Sequence, residues 1–135
     1  MSTITVLDNA HLTLMYHPDK KIVHHIYKPP IGGKYLKEGL NVGLDLLREH
    51  GACKWLSDNR AIDGHTEEET HWINTDWLPR VIEVGWKCWA LVVPHSIKAR
   101  MNMSEFVQAF YDMGVRVMVF TDPDEAMEWL DRIDA

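Results

Sequence analysis

The chain has 135 residues, 46% apolar and 25% charged, a composition that fits one soluble globular domain over residues 1–135 and excludes a disordered or fibrous segment. Fourteen basic against twenty acidic residues give a net charge of −6, and no Lys/Arg cluster offers a footprint for phosphate backbones or anionic lipid, so no nucleic-acid partner is expected. The longest apolar run, Cys88 to Val93, is far short of the roughly 20 residues that cross a bilayer, so no membrane span is expected. The polar start Met1-Ser2-Thr3 lacks the basic and apolar regions of a signal peptide. Cys53 and Cys88 lie in apolar runs, as buried free thiols of a reducing compartment do, and the expected location is cytoplasmic. An excess of Trp (six), Met (seven) and His (eight) carries the functional question.

The first 28 residues alternate without helical period: Ile4, Val6 and Leu7, then Leu12, Leu14 and Tyr16, then Ile22, Val23, Ile26 and Tyr27. They predict three short antiparallel strands, with turns at Asp8-Asn9-Ala10 and His17-Pro18-Asp19-Lys20. Pro29-Pro30-Ile31-Gly32-Gly33 breaks the pattern, and from Lys34 the stripe Leu36, Leu40, Leu44, Leu47 predicts a helix ending at Gly51. Thr66-Glu67-Glu68-Glu69 is a capping box opening a helix with Ile73, Trp77, Val81 and Val84 inward, closed by Gly85. Asn102 with Glu105 opens another, with Phe106, Phe110 and Met113 inward, closed by Gly114. Asp122-Pro123-Asp124-Glu125 starts a last helix carrying Met127, Leu130 and Ile133. The apolar runs between these helices, Cys53 to Ser57, Cys88 to Val93 and Val115 to Phe120, read as buried parallel strands. The expected fold is α/β: a mixed sheet with an antiparallel start followed by successive right-handed crossovers.

The run Lys54-Trp55-Leu56-Ser57-Asp58-Asn59-Arg60, the helix end Trp77-Leu78-Pro79-Arg80 and the close Asp122 to Leu130, taken with the element order, resemble the bacterial STAS-like, SpoIIAA-like family. The resemblance spans about Leu12 to Leu130 and rests on structural strings. It implies the sheet just described and a regulatory role, since better-known members act as anti-sigma factor antagonists or as cytoplasmic modules of anion transporters. The antagonists carry a phosphorylatable serine, in an Asp-Ser-Ser-Gly-type string, at the start of the helix after a central strand. Here that region reads Asp63-Gly64-His65-Thr66-Glu67-Glu68-Glu69. Thr66 is its one hydroxyl and reads as a helix N-cap, and three glutamates would repel a phosphate there, so the partner switch is not carried over.

In an open sheet of this kind ligands gather beyond the carboxyl ends of the parallel strands. That edge carries Ser57, Asp58, Asn59 and Arg60, then His95 and Ser96, then Thr121 and Asp122. A hydrolase would use Ser96 or Ser57 with His95, but no Gly-x-Ser-x-Gly elbow is present. Asp58 with Arg60 reads as a loop-tying ion pair, and Arg60 with His95 as a holder of a small anionic ligand. No metal or cofactor is expected: His24 and His25 point to opposite faces of a strand, and His65 and His71 do not have the spacing of a helical pair.

The tryptophans are more informative. Trp72 and Trp77 are five apart, about 140° around a helix, so Trp72 belongs at the margin of the stripe that Trp77 joins. The last strands are apolar on both faces and must be covered on both. Either the helices divide between both faces and bury them, or helices gathered on one face leave the other to the N-terminal strands, a second subunit or an apolar ligand; among these latter outcomes a homodimer is the expected assembly. The expected function is a non-enzymatic cytoplasmic binding or regulatory module of STAS type, acting on a protein partner or small ligand. The alternative is a carrier or sensor of a small apolar or acyl molecule held against Trp55, Trp72, Trp86, Trp89 and Met101 or Met103. An enclosed apolar cavity of about 300 Å³ or more marks the carrier, an exposed patch without one marks the regulatory module, and a serine hydroxyl within about 3 Å of His95 marks the hydrolase.

Overall fold

The structure is a computed structural model that describes residues 3–29, 32–62 and 64–134. The Met1-Ser2 start, the expected break at Pro30-Ile31, and Asp63 of the string compared with the phosphoserine motif lie outside the described residues.

Three strands open the chain: β1 (Ile4–Asp8), β2 (Leu12–His17) and β3 (Ile22–Tyr27). Asn9 makes the first turn, its Oδ1 accepting from the backbone N–H groups of His11 (2.8 Å) and Leu12 (3.0 Å). Helix α1 (Gly33–His50) buries Leu36, Leu40, Leu44 and Leu47 and stops at Gly51, whose φ of 60° is the left-handed conformation that closes a helix. Strand β4 (Lys54–Asp58) follows, then α2 (Glu67–Trp72), a π-helical segment (Ile73–Trp77) and α3 (Leu78–Glu83). The chain closes with β5 (Cys88–Val92), α4 (His95–Arg100), α5 (Met103–Asp112), β6 (Arg116–Phe120) and α6 (Pro123–Arg132).

The strands form one six-stranded sheet in the order β1-β2-β3-β4-β5-β6. The first three pair antiparallel, and β3 through β6 pair parallel with helices between them, which is the mixed α/β fold expected from the alternation of patterns. Register puts His25, Tyr27, Trp55, Ser57, Trp89 and Leu91 on one face. Against that face pack α1 through Leu36, Leu40, Leu44 and Leu47, and the α2–α3 stretch through Trp77 and Val81. Ile97, Met101, Met103 and Phe106, from α4, α5 and the loop between them, pack there on Leu91, Val93 and Val119. The opposite face carries Ile22, Leu56, Cys88, Ala90 and Val92, and α6 covers it with Ala126 and Leu130. The helices therefore divide unequally between the faces, and α6 is what covers the second face over β4 to β6.

Three local expectations need correction. The helix expected from Thr66 to Gly85 is interrupted by the π-helical segment, where Leu78 N–H reaches back to Ile73 O. Pro79 explains it: proline offers no N–H to the Thr75 carbonyl and its ring crowds that turn, so the helix widens just before it. His95 and Ser96, expected in a loop, open the short helix α4. Met113, expected inward, is exposed, because α5 ends at Asp112 and the inward stripe stops with Phe106 and Phe110.

Candidate functional site

Between the first face and the α2–α3 stretch lies a cavity of about 340 Å³, partly open to solvent. Its sheet wall is built by the alternation of β3, β4 and β5, which sends His25, Tyr27, Trp55, Ser57, Trp89 and Leu91 to the same side. Its helical wall comes from Thr70 of α2, from Ile73, Asn74 and Trp77 of the π-helical segment, and from Phe106 and Phe110 of α5. The π-helical widening has a local result: Ile73, Asn74 and Trp77 all reach the cavity.

The aromatic lining is continuous. Trp55 meets Trp77 edge-on at 5.4 Å, Trp77 meets Trp86 at 6.0 Å, and Trp86 meets Trp89 at 5.5 Å. Phe110 joins Trp89 at 5.0 Å. These are the separations and tilts at which ring edges meet ring faces favourably. Four of these aromatic groups also have polar atoms, and each is satisfied inside the protein. Trp77 Nε1 donates to Leu40 O (2.8 Å), which ties the π-helical segment to α1, and Trp86 Nε1 donates to Cys88 O (3.1 Å). Trp55 Nε1 donates to His25 Nδ1 (3.0 Å), and Trp89 Nε1 donates to Ser57 Oγ (2.8 Å).

Burial sets the charge state. His25 is 4% exposed, and burial pushes its pKa down to about 3, against a smaller upward pull from its hydrogen bond to Asn59. An imidazole that accepts from one indole and sits in an apolar wall stays neutral. Tyr27 stacks on His25 at 4.0 Å, and burial, with the nearby Glu69 carboxylate, pushes its hydroxyl well above the usual tyrosine range. His65 lies edge-on to Tyr27 at the cavity, its pKa also lowered by burial, and its Nδ1 is buried without a hydrogen-bond partner among the described residues.

Of the residues singled out in the sequence, Trp55, Trp86, Trp89 and Ser57 come together here. Trp72 lies outside the cavity at the margin of its helix, with Lys37 Nζ 5.3 Å above its ring. Met101 and Met103 pack instead on Leu91, Val93 and Val119. Asp58, on the opposite face, is buried and accepts a two-pronged bond from Arg60, Nε to Oδ1 at 2.9 Å and a terminal nitrogen to Oδ2 at 2.8 Å. This is the loop-tying ion pair read from the sequence, and it occupies the Arg60 guanidinium. His95 and Ser96 are exposed on α4, and among the described residues no hydrogen bond joins His95 to Ser96, Ser57 or Arg60. Thr66 is an N-cap, accepting from Glu69 N (3.1 Å) while Glu69 Oε1 accepts from Thr66 N (2.9 Å). No group of three or more His, Cys, Asp or Glu placed to hold a metal occurs among the described residues.

The sequence reading placed Asn59 with Ser57 at the ligand-gathering edge, where both line the cavity, but missed His25, Tyr27 and Trp77 as lining residues. The signal was available for two of them: His25 and Tyr27 stand two apart on a strand, on the face that Tyr16 and Val23 mark as inward. No protein-family model, curated protein or solved structure matches the chain.

Proposed function

We propose that the protein is a non-enzymatic binding module that holds a small, largely apolar molecule in the aromatic cavity, as a carrier or sensor. The observation that carries this reading is the cavity: about 340 Å³, within the size range of ligand sites, walled by Trp55, Trp77, Trp86 and Trp89. A molecule of matching shape would gain dispersion contacts along this aromatic lining. The STAS-like resemblance supports a regulatory use of that binding. An occupant beneath α2 and the π-helical segment would set the position of those elements, and a partner protein would read it. The location proposed is the cytoplasm, supported by the free thiols of Cys53 and Cys88. The assembly proposed is a homodimer, supported by Met118, an exposed apolar side chain on the sheet-edge strand β6.

The test is native mass spectrometry of the protein purified from its own source, followed by calorimetric titration with indane, a compact uncharged hydrocarbon. A retained small molecule, or indane uptake that Leu91→Trp abolishes by filling the cavity from the sheet side, supports the reading. A bare chain that takes up no indane overturns it. The same spectra read subunit number, and a monomer at micromolar concentration removes the dimer.

A further inference from the structure

We infer that the molecule held in the cavity is an uncharged aromatic carbonyl compound, its ring among the tryptophans and its oxygen accepting hydrogen bonds from Ser57 and Asn59. This rests on the reading of the cavity as a binding site and specifies the occupant. An indole N–H can only donate. Trp55 donates to His25 Nδ1 (3.0 Å), which fixes the imidazole proton on Nε2, and Nε2 then donates to Asn59 Oδ1 (2.9 Å). With its oxygen accepting that bond, the Asn59 amide still has its NH2 group to donate. On the neighbouring strand Trp89 donates to Ser57 Oγ (2.8 Å), so the serine oxygen is used as an acceptor while its own proton has no acceptor among the described residues.

Two relays that begin at separate tryptophans thus end in donors two residues apart at the carboxyl end of β4, and both end groups line the cavity. The Tyr27 hydroxyl lines it as well, with no hydrogen-bond partner among the described residues. Donors collected on an otherwise apolar wall call for an acceptor, since leaving them dry and unpaired is costly.

Charge decides which acceptor. No Lys or Arg is among the described residues that line the cavity, and His25 is locked neutral between Trp55 and Asn59. His65 is the other histidine of the lining, and its Nδ1 lies 3.8 Å from Glu69 Oε1, so a positive charge there would already be matched by that carboxylate. An anion would therefore be buried without a free counter-charge, whereas a carbonyl oxygen accepts two hydrogen bonds and carries no net charge. The tilted indoles favour a flat ring whose edge and face can both be met.

The experiment is calorimetric titration of the intact protein with three compounds of one shape: indane, 1-indanone and indane-1-carboxylate. The expected order is 1-indanone tightest, by about tenfold over indane for the hydrogen bonds gained, with the carboxylate weaker than the ketone by a similar factor. Ser57→Ala should narrow the ratio of 1-indanone to indane affinity towards one, the ratio being read within the same variant. Equal affinity for indane and 1-indanone, or preference for the carboxylate, overturns this inference and leaves the cavity reading standing. Binding of none of the three overturns the cavity reading itself.

Discussion

Two residues show how tightly the cavity wall is specified. Gly43 faces the ring of Trp55 across the α1 interface, and a Cβ there would stand 2.8 Å from Cζ2 and 2.9 Å from Cζ3, with Cη2 closer still. Trp55 is fully buried and pinned by its bond to His25, so it cannot retreat. Gly43→Ala should therefore destabilise the protein by about 1–3 kcal/mol despite the better helix propensity of alanine, read as a lowered denaturation midpoint; a neutral or stabilised variant would mean the ring can move. The buried histidines predict an acid sensitivity. Burial holds His24 at about 4 and His25 at about 3, against 6.5 in the unfolded chain. Below pH 6.5 the unfolded chain takes up protons that the folded one refuses, so stability is fully present above that pH and falls as pH drops towards 4, by at most about 1.4 kcal/mol per unit for each histidine. Thermal unfolding between pH 7 and 4 should show that decline, and a less steep one in His24→Gln, where one of the two is gone. Parallel profiles for the two proteins would refute the assignment.

Among the elements, the stretch from α2 to α3 supplies most of the helical wall of the cavity. The capping box of Thr66 and Glu69 holds its first turn, and no residue of α2 is fully buried. Thr66→Ala should cost about 1 kcal/mol and should raise amide hydrogen exchange across α2 while leaving α1 unchanged; unchanged exchange in α2 would mean that packing rather than the cap holds it. The starts and ends of elements were legible in the sequence because capping is local chemistry: Thr66, Asn102, Asp122 and Gly51 all act where their patterns place them. The π-helical segment was not, since Pro79 signals an interruption without saying how the turn before it relaxes. The same limit hid most of the cavity. Trp55, Trp86 and Trp89 stood out as surplus aromatic residues, but Tyr27 from β3 and Phe110 from α5 meet them only through tertiary packing. Asn59 needed both the strand register and the tautomer of His25 to acquire a role.

At the scale of the molecule, the sheet is covered unevenly, and α6 is the whole helical cover of the second face over β4 to β6. Its seat is reinforced by Lys54, whose Nζ donates to Leu130 O at 2.6 Å near the helix carboxyl end, where a cation is favoured. Leu130 is 0% exposed, and Leu130→Ala should cost about 2–5 kcal/mol in urea unfolding; a loss well under that range would mean the face is closed by something other than α6. The sequence pattern required cover on both faces and left open what supplied it. Division of the helices between both faces was one of the readings that pattern allowed, but choosing it takes crossover geometry, which periodicity does not carry. The same division sorts the indoles. Trp55, Trp77, Trp86 and Trp89 form a chain with neighbouring ring centroids 5.4 to 6.0 Å apart, whereas Trp129 pairs with Phe120 on the far face. Indoles at these separations couple their electronic transitions in part, so the four together should add a shared contribution to the near-ultraviolet circular dichroism. A molecule entering the cavity should change that shared contribution, with Trp72 and Trp129, which do not line the cavity, left as internal optical references.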